Sequence, residues 1–325
     1  MRIVVLHQSA GDEAAVDEQD VLDQRDAVCH ALQELGHEVS SMAATLDLAQ
    51  LRQALVEQRP DCVFNLVESL GGSDRLIALV PLLLESLDLP YTGVPVAGLL
   101  GTSNKVAAKR RLAQAGLPTL PWLEDHWLEN DAALSLIWPS QWIRKPIHEH
   151  ASFGMTDEAV VSCEDVADLA LKTLQWQRCL GRPCFAEPFI EGREFNLSLL
   201  GPGDPRVLPI AEIEFVDFAP DKPRIVGYAA KWTESAAEYG NTRRRFEFPT
   251  SDASLLQRLS ELATACWRLF NLSGYARVDF RVDAAGNPWI LEINANPCLT
   301  PGSGFAAAVE QANIPYELAI ARIVG

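Results

Sequence analysis

A chain of 325 residues that is 48% hydrophobic and 22% charged can bury a sizeable core without disulfides or a structural metal. Its 27 Lys and Arg stand against 44 Asp and Glu, a formal net charge of -17 at pH 7, which repels a polyphosphate backbone and argues against nucleic acid as a partner. Seven cysteines, at 29, 62, 163, 179, 184, 266 and 298, form no C-x-x-C pair, so neither a disulfide framework nor a zinc site is expected. The opening Met1-Arg2-Ile3-Val4-Val5-Leu6-His7 has too few apolar residues for a signal peptide or a membrane span, which predicts a cytoplasmic protein with no membrane partner.

The first hundred residues alternate short apolar runs with helical patterns, the form of a parallel sheet with crossover helices. Residues 3–6 and 62–66 read as strands. Between them Val21, Leu22, Arg25, Val28, Cys29, Leu32 and Leu35 recur at helical spacing, with Gly36 placed for a left-handed cap. Residues 46–58 form a second predicted helix stopped by Pro60, and 74–87 a third, which leads to a short strand at 89–91 and a turn at Gly93. The spacing next predicts a helix over 104–115 capped by Ser103 and closed by Gly116 and Pro118, and a strand over 142–145. A glycine-containing loop follows at 148–155, then a helix to about 177 opened by a Ser162/Asp165 capping box. Residues 184–187 read as a strand, the chain from Glu194 as strand-rich, and 252–270 as a helix. At roughly 100 to 200 residues per domain, two or three domains are expected.

The turn after the first strand, His7-Gln8-Ser9-Ala10-Gly11, is not G-x-G-x-x-G, which disfavours a nicotinamide enzyme. No G-x-x-x-x-G-K-[ST] loop and no G-x-S-x-G elbow occurs in the sequence, so P-loop ATPases and α/β-hydrolases are excluded.

Tyr275 to Val282 and Pro288 to Asn294 both alternate polar and apolar residues and read as a hairpin. A four-residue loop at 284–287 sets Asp279 opposite Glu292 and Arg277 opposite Asn294, all on one face, with Val278, Phe280, Leu291 and Ile293 on the other. Two opposed carboxylates repel. Either a hard cation held by Asp, Glu and Asn oxygens relieves them, as Mg2+ would, or the face is solvated and Arg277 neutralises Asp279.

An ordered series of short motifs covers nearly the whole chain. It runs Pro90-Tyr91-Thr92-Gly93, Ser103-Asn104-Lys105, Arg144-Lys145-Pro146, Glu149-x-x-Ser152-x-Gly154-Met155, Glu187 with Gly192-Arg193-Glu194-Phe195, Ala230-Lys231, Arg277-x-Asp279, Glu292-Ile293-Asn294 and Asn296-Pro297. In this order the series resembles the ATP-grasp superfamily, and most closely the D-alanine-D-alanine ligases and their relatives. The resemblance implies an α/β (α+β ATP-grasp) fold. An N-terminal open parallel α/β domain (1–100) would be followed by two α+β subdomains, a central one with a phosphate lid (101–186) and a C-terminal one with the metal and catalytic residues (187–325), clamping ATP between their sheets.

The implied activity is an ATP- and Mg2+-dependent carboxylate-amine ligase. It would phosphorylate a small amino-acid-like acid and form an amide or peptide bond from the acyl phosphate, which has a far better leaving group than a carboxylate. A D-alanine-D-alanine ligase proper is the alternative, and a nucleotide-binding regulator without catalysis the third reading. Carried over by position, Lys105 and Lys145 match phosphate contacts, Glu187 the acceptor from the adenine amino group and Glu194 the ribose acceptor. Asp279, Glu292 and Asn294 match ligands of two Mg2+ ions, replaceable by Mn2+. Lys231, Arg277 and Ser152 match the catalytic set: a γ-phosphate contact, the arginine at the developing oxyanion, and one hydroxyl of a substrate-orienting cluster. The family suggests a homodimer.

The substrate side departs from the ligase pattern. Where those enzymes open an H-G-x-x-G-E-D segment with histidine, this chain has Glu68. The first serine of the lid pair is Ala151, the tyrosine after the phosphate lysine is Trp232, and a glycine near the oxyanion site is Cys298, while Ser303 remains where the second amino acid's carboxylate would sit. Glu68 in a pocket would favour a substrate bearing an ammonium. Arg243-Arg244-Arg245 either closes over triphosphate or substrate, or is a solvated run paired with Glu238 and Glu247. His148 and His150 flank the lid, and the tryptophans other than Trp232 are expected in the core or at interfaces.

Overall fold

The computed structural model describes residues 1–9, 16–131, 138–149 and 151–325, with side chains from 19 onward in the first helix. In chain order the first region runs β1 (Arg2–Gln8), α1 (Val16–Glu34), β2 (Glu38–Ala44), α2 (Leu48–Gln58), β3 (Cys62–Asn65), α3 (Leu79–Ser86), α4 (Val96–Ser103) and α5 (Lys105–Gln114). A second stretch holds β4 (Trp122–Glu124), β5 (Trp127–Glu129), β6 (Ser140–Pro146), β7 (Val160–Cys163), α6 (Val166–Leu180) and β8 (Cys184–Pro188). The remainder is β9 (Arg193–Gly201), β10 (Arg206–Val207), β11 (Ala211–Phe215), α7 (Tyr228–Trp232), α8 (Ala237–Asn241), β12 (Thr242–Arg245), α9 (Ala253–Leu269), β13 (Gly274–Val282), β14 (Pro288–Ala295), α10 (Gly304–Gln311) and α11 (Tyr316–Val324).

Among the described residues these strands make three sheets. The first is parallel, β2-β1-β3, with Tyr91 bridged to Val63 at its edge. The second, β5-β4-β8-β6-β7, and the third, β12-β11-β9-β13-β14 with β10 on β9, are antiparallel. The mixture of a crossover-connected parallel sheet with two antiparallel sheets and flanking helices is the α+β arrangement expected. Residue 100 lies inside α4 and residue 186 inside β8, so the expected division points cut continuous elements.

The local signals act where their chemistry predicts, with shifts of a residue or two. The cap of α5 is Asn104, whose side chain accepts from Ala107 N at 2.8 Å, while Ser103 ends the preceding helix α4. The cap of α6 is Asp165, accepting from Asp168 N at 2.8 Å, rather than Ser162. The helix expected over 74–87 is a short 3-10 turn, Asp74–Leu76, followed by α3. Trp127, expected in the core or at an interface, is 76% exposed at the β4-β5 hairpin.

Two apolar clusters fix the first sheet in place. Val4, Leu6 and Val63 face Leu51, Leu55, Val80 and Leu84 on one side. On the other, Ile3, Val5 and Phe64 join Val28 and Leu32 of α1 with Tyr275, Phe305 and Ile320 from the C-terminal part of the chain. First and last segments therefore share one core, and the metal-ligand candidates on β13 and β14 are tied to the N-terminal sheet.

That tie is tightest at Gly93. Its φ is +94°, and a Cβ there would lie 2.4 Å from Asn296 Oδ1 and 2.8 Å from its Cγ. Asn296 cannot move aside, because it is buried and its Oδ1 accepts from Val94 N at 2.8 Å. Thr92, one residue earlier, accepts from Asn65 N at 3.1 Å. The Pro-Tyr-Thr-Gly run thus joins the edge of the first sheet to the strand end that follows Asn294. Gly93→Ala is expected to destabilise the chain by at least about 2 kcal/mol in urea titration, since the left-handed backbone and the clash act together; an unchanged midpoint would refute this coupling.

Candidate active site

The expected site residues converge. Lys105, Lys145, Ser152, Glu187, Glu194, Lys231, Trp232, Arg277, Asp279, Glu292, Asn294, Glu68 and Ser303 all line one cavity of about 1190 Å³ between the three sheets.

Its floor is the polar face of β9, β13 and β14. The hairpin register pairs Arg277 with Asn294 and Asp279 with Glu292, as alternation predicts, and β9 places Asn196 beside Asp279 on the other side. Arg277 grips Asp279 with two bonds, Nε to Oδ1 at 2.7 Å and Nη2 to Oδ2 at 2.8 Å. Asn196 and Asn294 donate to the same carboxylate at 2.8 and 2.9 Å. Past Asp279 a bulge shifts the register, so that Phe280 pairs with Ile290. The expected apolar partner Leu291 is thereby turned out of the core to line the cavity, and Ile290 is buried in its place.

Glu292 points into a ring of cations. Burial alone would raise its pKa, yet Lys105, Lys231, Lys145 and Arg277 hold it down to about 2. Lys231, in the short helix α7, makes no ion pair among the described residues; burial and the Arg277 charge lower its pKa.

The opposite wall is built from β6, β8 and α5. Glu187, 1% exposed, lies between two ammonium groups, Lys109 Nζ at 2.5 Å and Lys145 Nζ at 2.7 Å. Burial raises its pKa less than the two lysines lower it, and the net direction is down. Lys109 was not expected in the site. Its signal was present, since it lies four residues after Lys105 and so one turn along the same helix. Glu194, similarly, is met by Arg281 Nη2 at 2.6 Å. Asn196 and Arg281 also went unassigned, although each sits two residues from an expected site residue on the same strand face.

The loop expected as a lid lines the cavity through Glu149, Ala151, Ser152, Phe153 and Met155, with Ala151, Ser152 and Gly154 at φ of 56°, 63° and 70°; His150 lies outside the described residues, as do Ala10 and Gly11 of the first turn. Ser152 Oγ donates to Val226 O at 2.9 Å, Trp232 Nε1 to Ala151 O at 2.9 Å and Tyr228 N to Met155 O at 3.0 Å. The lid is bound to the segment that carries Lys231. His148 does not line the cavity.

At the end next to the first sheet, Glu68 shares the cavity wall with Asp20 and Gln24. Burial, then the charges of Asp74 and Asp20, push its pKa up to about 7. Cys298 Sγ donates to Asp20 Oδ2 at 3.1 Å. Ser303 caps α10, and its hydroxyl donates to Cys298 O at 2.8 Å. Arg245 pairs with Glu212 and Glu214, not with Glu238 or Glu247, and Glu238 pairs instead with Lys222.

Residues 112–325 match the family model "D-ala D-ala ligase C-terminus". The chain is 29% identical over 328 residues to a D-alanine--D-alanine ligase of Aquifex aeolicus, covering 100% of both. It is 30% identical over 298 residues to an uncharacterised protein of Sinorhizobium fredii, covering 90% of this chain and 83% of that one. Its fold superposes on the ATP complex of a D-alanine--D-alanine ligase from Bacillus anthracis with a TM-score of 0.72 at 23% identity, covering 100% of this chain and 96% of that one. The family match and these relatives make the chain an ATP-grasp enzyme, an ATP-dependent ligase that forms C–N bonds. The chain belongs to the D-ala D-ala ligase C-terminal family.

Two outcomes test the electrostatics of this cavity. Lys109→Met leaves Glu187 with one cation and is expected to cost about 3 kcal/mol in denaturant titration, because a buried charge is left half compensated; a loss below about 0.5 kcal/mol, the range of ordinary surface changes, would show the pair to be dispensable. Folded Glu68 titrates near 7 against an ordinary 4.5, so the folded state holds an extra proton between those values and loses stability as pH rises through them. Glu68→Gln removes that loss, so its stability relative to wild type is expected to grow by about 1 to 3 kcal/mol from pH 5 to pH 8. A gap independent of pH would contradict it.

Proposed function

We propose that this ligase joins the carboxylate of a small amino acid to the amine of a second one through an acyl phosphate, and that the acid it activates carries an ammonium near Glu68. The observation that carries the reading is the convergence of Lys105, Lys145, Lys231 and Arg277 on Asp279 and Glu292 in one cavity. In this reading Lys105 and Lys145 hold ATP phosphates, Lys231 the γ-phosphate, and Arg277 the oxyanion that develops as the amine attacks. Glu194 takes the ribose. Glu187 is held by two lysines but keeps lone pairs for the adenine amino group, since a carboxylate offers about four acceptor sites. Ser152 and the lid exclude water, which would otherwise hydrolyse the acyl phosphate.

The donor set fits Mg2+: Asp279 and Glu292 supply hard oxygens from adjacent strands, and Asn294 uses its amide nitrogen on Asp279, leaving its oxygen for a ligand. One or two carboxylates with substrate phosphates is the usual Mg2+ complement. When bound, the ion would neutralise phosphate charge. The division into regions 1–100, 101–186 and 187–325, and a cytoplasmic location where ATP is supplied, belong to the same proposal.

A second reading, synthesis of D-alanyl-D-alanine, is favoured by the full-length likeness to the Aquifex aeolicus enzyme. Glu68, Ala151 and Trp232 weigh against it. Trp232 and Ala151 keep lid and loop together through an indole-to-carbonyl bond, but they offer no hydroxyl to orient an amino acid.

The deciding assay is Mg2+-dependent ADP release with Glu292→Ala as blank, first with D-alanine alone and then with diamino and monoamino acids. Release with a diamino acid, little with D-alanine, and a Michaelis constant for the former raised about ten-fold by Glu68→Gln with that for ATP unchanged are expected. Brisk release with D-alanine alone would establish the second reading instead.

A further inference from the structure

Behind the wall that carries Glu187 lies a cation that the cavity does not touch. Lys109 is 2% exposed and does not line the cavity, whereas Lys145, the other ammonium on Glu187, does. The two divide the carboxylate between them: Lys109 Nζ meets Oε2 at 2.5 Å and Lys145 Nζ meets Oε1 at 2.7 Å. Among the described residues Glu187 is the one ion-pair partner of Lys109. Its ammonium also donates to Thr119 Oγ1 at 3.1 Å and lies 5.7 Å from the centre of the Trp122 ring. Thr119 and Trp122 are themselves buried.

Burial pushes the Lys109 ammonium down and the Glu187 carboxyl up, and in each case the other member of the pair is the largest charge opposing the shift. Each therefore keeps the other ionised. The two lysines are not equivalent, because in the reading above Lys145 also holds an ATP phosphate, which competes with Glu187 for its charge. Lys109 does not reach the cavity, so its charge stays with Glu187 when a nucleotide is bound. An ionised carboxylate accepts hydrogen bonds and donates none, while a protonated one can donate. The state of Glu187 therefore decides which group it can face, the amino group of adenine or the oxo group of hypoxanthine and guanine.

Resting on the assignment of Glu187 to the adenine amino group, we propose that Lys109 is a positioning residue for nucleotide selection: with its ammonium fixed by Thr119, it holds Glu187 as an acceptor-only carboxylate and makes the site choose a 6-aminopurine over a 6-oxopurine. Lys109 itself touches no ligand. A 6-oxo base sets a carbonyl oxygen against a carboxylate with no proton to give, and an acceptor facing an acceptor leaves both unpaired in a buried place.

The test needs no amino acid. Binding of ADP and of IDP, which differ in the 6-amino or 6-oxo group and the N1 hydrogen that goes with it, is measured by isothermal titration calorimetry with Mg2+, and the ratio of the two dissociation constants is compared among variants. Wild type is expected to prefer ADP by at least about ten-fold. Lys109→Met should narrow that preference to within about three-fold, chiefly by weakening ADP. A Lys109→Met variant that binds both nucleotides less well with an unchanged ratio has lost only structure, and that result overturns the proposal. If Lys109→Met does not fold, Thr119→Val, which keeps both charges and removes one anchor of the ammonium, is measured in its place: a preference lowered at least about two-fold supports the proposal and an unchanged one overturns it. Glu187→Gln separates this proposal from the reading beneath it, because an amide both donates and accepts and should lose the preference. Full preference kept in Glu187→Gln means that Glu187 does not face the base, and the reading fails together with the proposal. Preference lost in Glu187→Gln but kept in Lys109→Met overturns the role of Lys109 alone, and equal affinities in wild type overturn both.

Discussion

Every element of the site answers to one constraint: a charge removed from water must be met by an opposite charge or by several hydrogen bonds. The cavity floor satisfies this internally at Asp279, which receives two bonds from Arg277 and one each from Asn196 and Asn294. It satisfies it at Glu187 with two lysines from different elements, α5 and β6. These contacts join the helix after the first sheet, the second sheet and the third into one charged interior. Lys231, in the same cavity, makes no ion pair among the described residues and is met only at longer range, by the charges of Glu292, Asp279 and Glu194.

The hairpin shows how far such a site can be read from residues alone. Alternation placed Arg277, Asp279, Glu292 and Asn294 on one face because a strand repeats every two residues and the loop length sets the pairing. It could not place Leu291, since a bulge adds one residue to one strand without any mark in the apolar pattern. Lys109 is a different case. It sat in plain sight one turn from Lys105, but a lysine is usually solvated, and only the fold of β8 beneath α5 shows that it meets a carboxylate. The three arginines were ambiguous for the same reason. Strand alternation alone would have separated Arg244 from its neighbours, but which face looks into the cavity depends on the pairing of β12 with β11.

The substrate side departs from the D-alanine-D-alanine ligase pattern in a way that keeps the lid attached but without the serine and tyrosine hydroxyls. Trp232 donates to the backbone of Ala151, so the lid remains attached to the Lys231 segment although neither residue offers a hydroxyl. A bond to main chain holds a loop as well as a bond to a side chain, but it presents nothing to an incoming amino acid.

Beside the start of α10 the wall of the cavity is acidic. Glu68 shares it with Asp20 and Gln24, and Cys298 Sγ donates to Asp20 Oδ2 at 3.1 Å. The carbonyl of the same cysteine takes the Ser303 hydroxyl at 2.8 Å, so one residue joins the acidic wall to the cap of α10. Burial and then the charges of Asp74 and Asp20 push the Glu68 carboxyl up to about 7, the direction in which an unmatched carboxylate escapes the cost of burial, by holding a proton. Glu187 and Asp279 meet the same constraint with cations, and the two solutions within one cavity differ only in whether a counter-charge lies within bonding distance.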